Sequence, residues 1–152
     1  MFRKTLVITA LSASLFSLNS AQAHDGAMGV VKERMDLMKI IAKNTKAIAP
    51  IAMGSADMDL KAVETGAMAI QQAAKKVILK FPEGSISDVS EATPNIWTDW
   101  EKFVGQMRSL SEDAGGLAQL ARDEEDFELT DAFIKMSNNC KQCHTNFRKK
   151  KE

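Results

Sequence analysis

Residues 126–147 read DFELTDAFIKMSNNCKQCHTNF, and this stretch decides how the chain folds. Leu129, Phe133, Met136, Cys140, Cys143 and Phe147 recur at intervals of 4, 3, 4, 3 and 4 residues. That spacing keeps six apolar side chains on one face of an α-helix, so a helix is expected from about Asp126 with that face against a core.

Upstream, the same period recurs three times. A first helix is expected from about Ala27 to Ala49, ending at Pro50, with Val31, Met35, Met38, Ala42, Thr45 and Ala49 inward. A second begins near Asp57, a suitable N-cap, and ends before Phe81-Pro82-Glu83-Gly84. Its stripe is Leu60, Val63, Ala67, Ile70, Ala74, Val77 and Phe81. A loop from about Pro82 to Pro94 follows. A third helix opens near Pro94 and carries Trp97, Trp100, Val104, Met107, Ala114, Leu117 and Ala121, with Gly115-Gly116 marking a kink or a close approach. Four such helices with mostly short connections predict an all-α fold, an antiparallel up-down-up-down four-helix bundle.

Composition agrees. The 152 residues include nine Met, no Tyr, three Pro and two Cys, an inventory that favours helix over a β-sandwich. One domain fits the length. Twenty basic residues balance twenty acidic ones, which leaves no basic footprint for nucleic acid. No Ser-His-Asp set, phosphate loop or paired-carboxylate site stands out, so no enzyme activity is expected.

Residues 1–23 read as a signal peptide. Arg3 and Lys4 precede an apolar stretch from Thr5 to Leu18, and Ala21-Gln22-Ala23 supplies the small-x-small cleavage pattern. The stretch is shorter than the roughly 18–20 apolar residues that span a bilayer. Cleavage after Ala23 leaves a 24–152 domain with a net charge of −2, expected in a periplasm and not in the membrane.

In an oxidising compartment two cysteines normally form a disulfide. Here Cys140 and Cys143 stand three apart and His144 follows at once. Cys-x-x-Cys-His is the attachment signal for c-type haem: two thiols one helical turn apart can each form a thioether with a vinyl group, and the adjacent imidazole can bind iron. A disulfide would leave His144 unexplained. A thioredoxin-like pair belongs at a helix start beside a sheet, and a closed zinc site needs four ligands.

The run Cys140-Lys141-Gln142-Cys143-His144-Thr145-Asn146-Phe147-Arg148 resembles the haem site of the cytochrome c′ family, the class II c-type cytochromes. Arg34-Met35-Asp36-Leu37-Met38, Phe81-Pro82-Glu83-Gly84-Ser85 and Ile96-Trp97-Thr98-Asp99-Trp100-Glu101-Lys102-Phe103 resemble three further stretches of that family, in the same order. Members of this class are themselves a standard example of the up-down-up-down bundle. The resemblance implies one covalent haem c held by Cys140 and Cys143, with His144 the proximal iron ligand. It further places Arg34 near a haem propionate and Arg148 beside the proximal His, implies redox partner proteins, and in many members implies a homodimer through the first two helices.

The sixth ligand separates two functions. Gas-binding members have an apolar distal residue; here that position is Met38, as in the family's low-spin, methionine-ligated branch. A thioether suits haem iron, and His/Met ligation favours electron transfer. Met also fills cores, and Met35 lies on nearly the same face, so both readings stay open. The expected function is a periplasmic monohaem electron carrier, the alternative a five-coordinate cytochrome c′ that binds NO or CO. Arg148-Lys149-Lys150-Lys151 ends the last helix, where cations offset the helix dipole and could also dock an acidic redox partner.

Overall fold

The computed structural model describes residues 26–150. The expected signal peptide, its cleavage site and Lys151 lie outside the described residues. Among the described residues five helices follow one another: α1 (Gly29–Ala52), α2 (Leu60–Val77), α3 (Asn95–Thr98), α4 (Trp100–Arg122) and α5 (Leu129–Phe147). Short 3-10 turns, Ile78–Lys80 and Asp126–Glu128, extend α2 and introduce α5. The four long helices form the expected bundle: α2 packs on α1 and α4, and α4 packs on α5.

α1 runs past Pro50 to Ala52 instead of stopping before it. A proline removes one ladder donor, and one turn from the end that loss is small. The Pro50 carbonyl still accepts from Ser55 N (2.8 Å) and Ala56 N (2.9 Å), so the chain turns there without orphaned groups. α2 starts at the second candidate aspartate: Asp59, not Asp57, accepts from the Ala62 amide at 2.9 Å. The expected third helix is two. One turn, α3, ends at Asp99, whose φ of −115° and ψ of 43° break the helix before α4 begins. Through Gly115-Gly116 α4 stays unbroken. A Cβ on Gly115 would lie 2.3 Å from Gln71 Nε2, so the glycine marks a close approach to α2.

The α2 stripe is buried as expected, apart from Leu60, which is half-buried. On α1 the buried face centres one position earlier than expected: Val31, Arg34, Ile41, Ile48 and Ala52. Met38 and Thr45 share that face half-buried, and Ala42 is exposed. The expected stripe leaves out Arg34, Ile41 and Ile48, which carry the buried face. In α4, Phe103 and Leu110 hold core positions, and Trp100 is exposed. In α5, Asn139 takes a buried place because Asp113 Oδ2 and the Met136 carbonyl accept from its amide, at 2.8 and 3.3 Å.

Candidate haem site

The loop between α2 and α3 is tied to the end of α5. Thr93 N donates to the Phe147 carbonyl (2.9 Å), Lys149 N donates to the Glu91 carbonyl (2.7 Å), and Ala92 bridges Arg148 antiparallel. Arg148 also pairs with Glu91, its Nε donating at 2.6 Å. Trp97 Nε1 holds the loop's start, donating to the Phe81 and Pro82 carbonyls at 3.1 and 3.2 Å. Under this loop Phe81, Phe103 and Phe147 pack edge to face, with centroids 4.9 and 5.6 Å apart.

Arg34 of α1 points into the same corner. It is only 3% exposed, with its guanidinium carbon 4.6 Å from the Phe81 ring centroid. Nη1 donates to Ser85 Oγ at 3.1 Å and Nη2 to Ser90 Oγ at 2.8 Å. No carboxylate among the described residues pairs with it, and burial lowers its pKa. A buried cation without a counter-charge is costly, and an acceptor anion in this corner would relieve it.

Cys140 is half-buried against the core and Cys143 is buried; both are free thiols. Burial pushes Cys140 up, while burial and then the neighbouring Cys140 push Cys143 up to about 11. A disulfide-exchange pair has a depressed thiol pKa, so the shift here opposes that reading. His144 stands at the solvent side of the same turn. Partial desolvation and then Arg148 lower its pKa, against a smaller opposing effect of Glu91, which favours the neutral ring with a lone pair to offer. Among the described residues no cluster of three or more His, Cys, Asp or Glu is arranged to hold a metal ion.

Where α1 meets α5, the helices run antiparallel and pack far less closely than the other adjacent pairs. One tie fixes their level: Thr130 Oγ1 donates to the Ala52 carbonyl at 2.7 Å. Met38 lies fourteen residues back along α1 from that tie, and His144 fourteen residues on along α5. At a rise of ~1.5 Å per residue, each is ~21 Å from the tie, so the two stand at about one level. Arg34 and Arg148 come level in the same way, as their shared loop contacts require. Met35 falls level with Phe147, about 4.5 Å further along.

These observations fit a haem c. The loosely packed seam, two protonated thiols one turn apart, a neutral imidazole and a buried arginine without an anion are what a flat, dicarboxylate macrocycle would require. Arg34 was legible only through the resemblance, since a lone arginine in an amphipathic pattern ordinarily faces water. Ser85 and Ser90, which hold its guanidinium, carry no signal of that role in the sequence.

A helical bundle with a Cys-x-x-Cys-His turn on its last helix defines the c-type cytochromes of the four-helix class. The family model for Cytochrome C' matches residues 29–148, and the chain belongs to that family, whose members carry covalently bound haem c. It is 31% identical over 123 residues to the cytochrome c′ of Rhodopseudomonas palustris, covering 80% of this chain and 83% of that one. The solved structure of cytochrome c′ from that organism superposes with a TM-score of 0.74 at 31% identity, over 83% of this chain and all of the other (100%). A nitric oxide complex of a cytochrome c′ variant from Alcaligenes xylosoxidans shares the fold, with a TM-score of 0.74 at 24% identity over 80% and 94% of the two chains.

Proposed function

We propose that this cytochrome c′ family member is a periplasmic electron carrier and not an enzyme, with Cys140 and Cys143 attaching the haem, His144 as proximal ligand and Met38 as distal ligand. The observation that carries this reading is the equal level of Met38 and His144 on two helices that pack loosely against each other. Met35, one turn further along and level with Phe147, is less well placed. When bound, the haem supplies a one-electron iron couple, and His/Met ligation raises its potential.

The chain's own residues do the rest. Arg34, fixed by Ser85 and Ser90, offers its remaining N–H donors to a propionate. Arg148, held by Glu91, keeps a positive charge beside His144 and favours the neutral ring that ligates. Phe81, Phe103 and Phe147 exclude water from the inner edge. Location in a periplasm rests on the N-terminal pattern of residues 1–23; among the described residues no helix is long and apolar enough to cross a membrane.

The Alcaligenes protein has been solved as a nitric oxide complex, and gas binding is the second reading. It requires Met38 to stand off the iron. Substituting Met38→Ala separates the two: we expect the haem to stay attached while the iron becomes high-spin and open to CO. An unchanged low-spin spectrum would remove Met38 as the ligand.

A further inference from the structure

We infer that the outer seam between α4 and α5, behind the Cys-x-x-Cys-His turn, is the docking surface for a carboxylate-rich redox protein. The inference rests on the electron-carrier reading and extends it to a partner surface. A groove of about 570 Å³ runs along this seam, with Lys102 and Gln106 of α4 on one side and Lys141, Gln142 and Thr145 of α5 on the other. Lys141 and Gln142 are the two residues between the cysteines, and Thr145 follows His144. A partner seated there is separated from the haem-binding face by one helix, roughly 10 Å.

The groove's chemistry selects the partner's charge. No carboxylate lines it, and neither lysine has an acidic partner among the described residues. Lys149 and Lys150 lie just beyond, exposed at the end of α5. Further down the seam a second groove holds Glu112 and Asp113, but both Asp113 oxygens are occupied, by Lys135 Nζ and Asn139 Nδ2 at 2.8 Å each.

The far end of the molecule supplies the opposite sign. Asp123, Glu124, Glu125, Asp126 and Glu128 crowd the turn that leads into α5, around an exposed Phe127. An acidic partner is therefore repelled from that end, and the groove, which no carboxylate lines, is left to receive it. Such a field fixes orientation and raises encounter rates, both in a salt-dependent way.

The test uses the ferric haem-loaded protein and two small reductants of opposite charge, the ferrous EDTA chelate (anionic) and hexaammineruthenium(II) (cationic). Each encounter moves one electron: the reagent's metal is oxidised by one unit and the protein's iron goes from ferric to ferrous, with no proton required. At low ionic strength we expect Lys102→Glu with Lys141→Glu to slow the anionic chelate about tenfold and to speed the cationic complex, with both effects lost in high salt. Lys102→Glu alone, outside the haem motif, moves both rates the same way by less and guards against a defect in haem attachment. The same charge change placed at Lys75 and Lys76 on α2 shifts the rates far less. Equal effects from the α2 pair, or no effect from the groove pair, would overturn the docking surface while leaving the carrier reading intact. A wild type that exchanges electrons with neither reagent would overturn both.

Discussion

At the residue scale, Arg34 shows how far a single side chain departs from its sequence pattern. A cation at a helical position is ordinarily solvated, yet this one is buried, forked between two serines and stacked on Phe81. Truncation removes two charge-assisted hydrogen bonds and the cation stacked on Phe81, and leaves Ser90 Oγ only its bond from the Ala92 amide at 3.2 Å. Arg34→Ala should therefore lower the stability of the haem-loaded protein by about 3 kcal/mol in urea unfolding. Lys keeps the charge but cannot span both serines, so Arg34→Lys should recover only part of the loss. A loss under about 1 kcal/mol would mean the corner re-forms around water. Cys140, Cys143 and His144 stand out in the sequence because Cys-x-x-Cys-His is a pattern of local spacing. Arg34's burial does not, because it depends on a loop some fifty residues away.

At the scale of elements, the α2 stripe was readable in the sequence almost residue for residue, and the break at Asp99 was not. Periodicity reports which face is apolar, whereas a one-residue change of backbone angle between Trp97 and Trp100 leaves the apolar count unchanged. The α1 stripe was displaced by one position because α1 carries apolar residues at both registers, Met35, Met38 and Ala42 beside Ile41 and Ile48, and Arg34 breaks the period of the one that is buried. Glycines separate packing from propensity. A Cβ at Gly66 would lie 3.0 Å from both Cδ1 and Cγ1 of the fully buried Ile48, where α1 crosses α2. Gly66→Ala should cost about 1–3 kcal/mol in thermal or urea unfolding. At Gly116 nothing lies within 4 Å, and Gly116→Ala should add about 0.5–1 kcal/mol by helix propensity alone. Equal effects at the two sites would contradict the close α1–α2 crossing.

At the scale of the whole molecule, the bundle holds two helices apart at one level and closes that end with a loop. α2 and α4 form the tightly packed side, while α1 and α5 meet loosely where Met38 and His144 stand level. Family membership and haem c follow from the fold, the motif and the relatives; the sixth ligand decides between carrying electrons and binding a gas. The visible absorption spectrum of the haem-loaded protein, recorded oxidised and reduced and then with CO added to the reduced form, tests that choice most directly. Sharp low-spin bands that resist CO are the predicted result. A broad high-spin spectrum that CO alters at once would show that Met38 is off the iron, and the electron-carrier account would fail.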